Sequence, residues 1–170
     1  MAILTRNKIL EKIKEGLIKI EPFNPEQIGP ASIDLTLGDK FRVFKKVHDL
    51  VHLTESPDID AVSEVITVKD YLTLLPGQSV HGITIEKITL SSNICGWIQG
   101  RSRFARFGLM VHITASFIQP GVSNKQVLEM TNSGPMPIAI YPGIAICQII
   151  LEETTGEATY KGRFKNQDTP

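Results

Sequence analysis

The 170-residue chain is poor in the groups that mark several common function classes. It has two cysteines, Cys95 and Cys147, far apart and without the spacing of metal ligands. That excludes a disulfide framework and a cysteine-built zinc site, and the pair reads as small core residues in a reducing compartment. Neither sign of charge dominates, because Lys plus Arg and Asp plus Glu are both 18. A net charge of zero excludes a strongly basic nucleic-acid coat or an acidic tail, but leaves room for a local basic pocket. It also gives little colloidal repulsion, which suits an oligomer. No apolar run reaches the ~18 residues of a membrane span. The opening MAILTRNKILEKIK places charges where a secretory leader needs its apolar block. The expectation is a soluble, cytoplasmic protein. There is no 20–50-residue repeat, no low-complexity stretch and no linker, so residues 1–170 read as one domain.

Hydrophobic residues make up 42% and charged residues 21%, an ordinary globular balance. A chain of this length buries a core without a staple. Thr5 is a good helix cap, Ile9, Leu10, Ile13 and Leu17 recur at helical spacing, and Gly16 is a good breaker. After this helix the sequence is short β-rich runs cut by turn residues. Ile33, Leu35 and Leu37 alternate with polar residues, Gly38-Asp39 reads as a turn, and Phe41 to Phe44 form a further run. Residues 53–64 read as an exposed loop. Leu72 to Leu75, His81 to Ile88, Ile94 to Ile98, Val127 to Thr131, Ile138 to Tyr141 and Ile144 to Leu151 complete the strands, with Trp97 the only tryptophan. Pro76-Gly77, Pro120-Gly121 and Pro142-Gly143 mark turns. The pattern predicts a mainly β fold, a distorted antiparallel jelly roll or β-sandwich, with few helices beyond the first. The polar tail, 152–170, reads as a mobile arm that orders on a ligand or a neighbouring subunit.

Residues 99–121, QGRSRFARFGLMVHITASFIQPG, break this pattern. Ser102 is a good N-cap and Gly108 a good stop, so one helical turn fits between them. Its free N–H groups would attract an anion. Arg101, Arg103 and Arg106 add charge, and arginine grips phosphate with two hydrogen bonds. The residues alone leave open a solvated surface turn. Glu129 lies in a buried-looking run and shares a strand face with Val127 and Thr131. Facing inward, it would be desolvated and its pKa raised, as a proton-shuttling carboxyl requires; facing outward, it would be an ordinary surface acid. His112, in a strand-like run, reads as a hydrogen-bonded core histidine. His48 and His52 read as surface residues.

The ordered series GRSRFARFGLMVHITA, IQPG, VLEMTNSG and YPGIAI closely resembles the dCTP deaminase family of the dUTPase-like superfamily. IGPASIDLTLGDKFRVF is similar to the family's early signature, and Tyr160 through Gln167 to its nucleotide-closing arm. The resemblance implies a dUTPase-like jelly roll, forming a homotrimer with active sites between subunits. It implies a substrate of dCTP with Mg2+ on the triphosphate, and hydrolytic removal of the 4-amino group to give dUTP and ammonia. It implies no zinc, and the HxE…PCxxC signature of zinc deaminases is absent. By resemblance, Glu129 is the proton-shuttling glutamate. Ser102 and Arg106 hold water, glutamate and intermediate, and the Ala115 carbonyl places the water. The turn Arg101, Ser102, Arg103, Phe104, Ala105, Arg106 binds the triphosphate, with Arg103 where a second serine is usual. The backbone at Val127 and Leu128 reads the base. Tyr160, Arg163 and Gln167 close over the nucleotide. Gln119 stands where the family usually has aspartate and would face the sugar. An amide cannot serve as the base that cleaves the triphosphate in dUTPase relatives, so Gln119 speaks against a bifunctional enzyme that also forms dUMP. A dUTP diphosphatase, a bifunctional deaminase/diphosphatase and a non-catalytic regulatory trimer are the alternatives.

Overall fold

The computed structural model describes residues 2–46, 50–112 and 114–170. His48 therefore lies outside the described residues, and His52 is exposed. Helix α1 (Arg6–Lys14) forms where expected, with Ile9 fully buried beneath it. Thr5 occupies the cap position, although its side chain makes no capping bond. Gly16 adopts φ +75°, and Gly16 N–H and Leu17 N–H bond back to Ile13 and Lys12 carbonyls. This paired bonding closes the helix end at a residue without a Cβ penalty.

The rest is β structure. In chain order the strands are β1 (Ile18–Glu21), β2 (Ile33–Phe44), β3 (Ser63–Thr67), β4 (Leu72–Leu74), β5 (Ser79–Leu90) and β6 (Ile94–Gly100). A single helical turn, α2 (Ser102–Ala105), precedes β7 (Leu109–Val111), β8 (Phe117–Ile118), β9 (Ser123–Asn132), β10 (Ile138–Ile140) and β11 (Ala145–Glu153). Nine strands form one antiparallel sheet, ordered β7-β9-β5-β2-β11-β6-β8, with β1 added to β5 and β3 to β2. A two-stranded ribbon, β10 on β4, lies apart. The long strands β2 and β5 have partners on different stretches, so the sheet curls around the core of Leu35, Leu37, Phe41, Leu128, Ile146 and Leu151. This is the mainly β, antiparallel architecture that the alternating sequence predicts.

Four local expectations change. Gly38-Asp39 does not turn the chain: β2 continues through it, with an irregular register against β5 between Leu37 and Phe41. A Cβ on Gly38 would come within 3.0 Å of the Ile83 carbonyl, so glycine here permits a close strand approach. The loop 53–64 ends early, because Ser63 already pairs with Phe44. The short strands β1, β3 and β8 lie outside the expected runs, although Ile18 to Glu21 of β1 alternates apolar and charged residues. The tail also starts later than residue 152, since Glu152 and Glu153 still pair with Cys95 and Ile94.

Strand β9 organises the site. Asn124, Gln126, Leu128, Met130 and Asn132 point into the protein, while Ser123, Lys125, Val127, Glu129 and Thr131 lie on the other face. The buried polar members are satisfied. Asn132 holds the Leu74 and Met136 carbonyls, and Gln126 N–H donates to Thr84 Oγ1 at 2.9 Å. That bond crosses the irregularity in β5 between Ile83 and Lys87, where the regular ladder is interrupted. Thr84 Oγ1 in turn donates to the Glu86 carbonyl at 2.8 Å.

Candidate active site

The arginine segment folds as predicted in outline. Arg101, rather than Ser102, is the cap of α2, so Ser102 is its first helical residue. The cause is the backbone: Arg101 is extended at φ −101°, ψ 134°, and its carbonyl already accepts from Phe104 and Ala105. Gly108 ends the turn at φ +85°. Its Cα packs on Gly134, where an added Cβ would lie 2.4 Å from a backbone nitrogen.

The arginines divide into two kinds. Arg101 is committed to the fold: its guanidinium pairs with Asp34 at 2.9 Å and donates to the Ala145 carbonyl at 2.8 Å. Ser102, Arg103, Ala105 and Arg106 are exposed, with Phe104 half-buried. Among the described residues no side-chain hydrogen bond or ion pair engages Ser102, Arg103 or Arg106. Within one chain these groups do not meet Glu129.

Glu129 sits on the outer face of β9, between Val127 and Thr131, with its side chain 38% exposed. The inward, pKa-raised glutamate is thus corrected. Leu128 and Met130 take the buried phase, which turns Glu129 outward. Its pKa moves down, because the His112 imidazole beside it favours the charged form, and this outweighs the opposing effect of burial.

His112 is the residue that spacing did not identify as functional. Strand β7 ends at Val111, and His112 turns away at φ +58°, a left-handed conformation uncommon outside glycine. Its N–H still reaches the Glu129 carbonyl at 3.1 Å. Its ring lies between two partners: Nε2 is 2.9 Å from the Ala115 carbonyl, and Nδ1 is 3.0 Å from Glu129 Oε2. A carbonyl only accepts, so Nε2 carries a proton. The contact between Nδ1 and Glu129 Oε2 is close but too poorly aligned to be a full hydrogen bond, and among the described residues neither buried atom has another partner. Across β5, His81 stands opposite Glu129, and burial lowers its pKa against the pull of the carboxylate.

The tail lies along the free edge of β9. Tyr160 N–H donates to Pro120 O at 2.9 Å, next to the exposed Gln119. Asn124 Nδ2 donates to Phe164 O at 2.7 Å, while Ser123 and Lys125 N–H groups donate to Lys165 and Gln167 carbonyls. Gln167 Nε2 approaches Lys125 O at 3.4 Å, and Arg163 remains exposed beside the Phe164 ring. On the same edge β7 starts to pair only at Met130, and His112 covers Glu129. Between tail and His112 one position is left. Among the described residues nothing pairs with the edge at Val127, which presents one donor and one acceptor beside the Glu129 carboxylate. The structure thus brings Glu129, His112 and Ala115 together beside Val127, with Gln167 next along the edge at Lys125, and among the described residues no side-chain hydrogen bond or ion pair joins Ser102, Arg103 or Arg106 to them. Among the described residues no group of three or more His, Cys, Asp or Glu could hold a metal, and no helix is long and apolar enough to cross a membrane.

The curled β-sheet thus has a one-residue opening in the edge of β9, at Val127, beside the contact of Glu129 with His112. A family model described as dCTP deaminase-like matches residues 3–154, and the chain belongs to that family. The chain is 37% identical to the "dCTP deaminase, dUMP-forming" of Methanosphaera stadtmanae, over 99% of this chain and 88% of that protein. It is 41% identical to the "dCTP deaminase" of Marinomonas sp., over 88% of this chain and 82% of that protein. In three dimensions it resembles the 2′-deoxycytidine 5′-triphosphate deaminase from Agrobacterium tumefaciens, with a TM-score of 0.69 at 18% identity. That match covers 90% of this chain and spans 48% of the other, and it shows the shared fold.

Proposed function

We propose that the protein is a zinc-independent dCTP deaminase, acting on the magnesium complex of the nucleotide as a trimer with sites between subunits. The observation that carries this reading is the open edge at Val127 beside Glu129. Its N–H and C=O complement a ring edge that offers an acceptor and a donor, as cytosine does at its 2-carbonyl and its 4-amino group, which leaves N3 to Glu129. A base seated there continues the row of edge bonds that the tail makes at Ser123 and Lys125. Glu129 then stands beside the ring. It takes a proton from water as the water oxygen bonds to C4, and gives that proton to N3. The second water proton passes through the carboxylate to the amine, the C4–N bond breaks, and ammonia leaves as the carbonyl forms. The Ala115 carbonyl has a second lone pair with which to hold the water, since His112 uses one. Exposed Ser102 and Arg106, without partners in their own chain, are suited to a neighbour's nucleotide. Arg106 would offset charge at the tetrahedral centre, and Arg103 would meet phosphate. Tyr160, Arg163 and Gln167 belong to the segment already docked beside the opening, and would close over sugar and phosphates.

The product is the second question. Gln119 favours release of dUTP, since its amide cannot activate water against the triphosphate. The printed name of the Methanosphaera relative, dUMP-forming, favours a further cleavage to dUMP. One assay tests both. Purified protein is given dCTP and dUTP separately with magnesium, and ammonia, dUTP, dUMP and pyrophosphate are followed together. Ammonia and dUTP from dCTP, without pyrophosphate, is the expected result. Pyrophosphate from either substrate would establish the dUMP-forming reaction and require a base other than residue 119. Binding of both nucleotides without turnover would replace the enzyme with a regulatory trimer.

A further inference from the structure

Arg42 lies on β2, two strands from Glu129, and is 9% exposed. Its Nε donates to the Pro170 backbone oxygen at 2.8 Å, a contact spanning 128 positions of sequence. Its Nη1 pairs with Asp60 at 2.5 Å and donates to Ser63 Oγ at 2.9 Å. Asp60 and Ser63 thus hold Nη1 and fix the guanidinium in place, while Nε turns to the tail. Pro170 is buried, whereas Asp168 and Thr169 before it are exposed. Asp168 lines the cleft that also contains Asp39, Lys40, Ile83, Thr84 and Lys125, and its carboxylate is 3.7 Å from Lys125 Nζ. The tail therefore leaves the free edge of β9 at Gln167, passes Lys125 at Asp168 and meets Arg42 at Pro170.

We infer that Arg42 is a positioning residue that anchors the tail at Pro170. It keeps Lys165–Gln167 docked on β9 and so completes one wall of the opening at Val127. Without the anchor, the contacts that hold the tail beyond Tyr160 among the described residues are a few edge bonds and an exposed ion pair, which contributes little. A hydrogen bond from a fixed, buried guanidinium is stronger than a neutral one. Its loss should raise the undocked population about tenfold. The kinetic part of this inference rests on the proposed deaminase; the docking part does not.

The test uses trypsin, because Lys165 lies in the docked segment and its carbonyl accepts from Ser123 N–H. Cleavage after Lys165 requires the tail to leave β9, and its rate follows the open population when reclosing is fast. Two variants are compared with the wild type: Arg42→Met, and a chain ending at Asp168. The second leaves the Asp60 and Ser63 contacts intact, so it stays informative if Arg42→Met misfolds. Both should be cleaved about tenfold faster, and combining them should add nothing further. Their KM for dCTP should rise by a similar factor with kcat nearly unchanged. Wild-type cleavage of the chain ending at Asp168, or effects that multiply in the combined variant, would overturn the anchor. Faster cleavage with an unchanged KM would overturn its link to the nucleotide. Faster cleavage in a protein that turns over no nucleotide would uphold the anchor and count against the deaminase.

Discussion

Replacing Gly108 with alanine tests how the arginine turn is held. Gly108 has φ +85°, where a residue with a Cβ loses about 1–2 kcal/mol. The new methyl would also lie 2.4 Å from Gly134 N and 2.5 Å from Gly134 Cα, both backbone atoms. No side chain can move aside to relieve this, so the 108 and 134 backbones must separate. That separation breaks the bonds from Ser133 N–H and Ser133 Oγ to the Gly108 carbonyl, at 2.8 and 2.9 Å. Each is worth about 1 kcal/mol. The sum is a loss of about 3–4 kcal/mol. Gly77→Ala provides the comparison. Gly77 has φ +79°, but a Cβ there meets nothing within 4 Å, so only the conformational part, about 1–2 kcal/mol, should appear. Urea unfolding of both variants, with the denaturant slope held in common, gives the difference directly. Equal losses at the two positions would refute the claim that close packing on Gly134, rather than backbone conformation alone, holds the turn.

Glu129→Gln should retain nucleotide binding and lose nearly all ammonia release; wild-type turnover would remove Glu129 from the chemistry. Because the carboxyl's folded pKa is lowered, its contact with His112 stabilises the protein above the unfolded carboxyl pKa and is lost as pH falls through the folded value. The acid limb of stability against pH should therefore flatten in Glu129→Gln, as thermal unfolding between pH 3 and 7 would show. Arg106→Ala should lower kcat by about 10²-fold, the usual cost of losing one charge-stabilising group, with an unchanged rate excluding that role. His112→Asn keeps a residue that tolerates the left-handed conformation but removes the ring from Glu129. The Glu129 pKa should rise toward its ordinary value, moving the acid limb of the kcat profile to higher pH; an unmoved limb would show that His112 does not tune the carboxyl.

What could be read in the sequence was what depends on neighbours along the chain. Helix α1 follows from Ile9 and Ile13 at helical spacing with Gly16 beyond them, and β9 follows from the largely apolar run Val127 to Thr131. Gly38 misled because glycine before aspartate is turn chemistry. The strand partner that makes glycine necessary there, the Ile83 carbonyl, is 45 positions away and invisible to a local reading. Period two correctly groups Glu129 with Val127 and Thr131. It does not say which of the two faces the curled sheet will bury. The contact between His112 and Glu129 depends on β7 stopping at Val111, and the one between Arg42 and Pro170 on the full course of the tail. The resemblance named candidate site residues that spacing alone left open. The structure supplies their arrangement within one chain, where no hydrogen bond or ion pair among the described residues joins the arginine turn to Glu129.

The opening at Val127 has an evolutionary consequence. A ligand read there is read by main-chain atoms, so exchanging the valine side chain would leave the message unaltered. The message resides in the alignment of β9 on β5, which the bond from Gln126 N–H to Thr84 Oγ1 pins across the interrupted ladder. Selection for a different ring would thus find little purchase at the pocket wall. It would act on Thr84 and Glu86, behind the strand, where a slip of one residue rewrites every donor and acceptor on the edge.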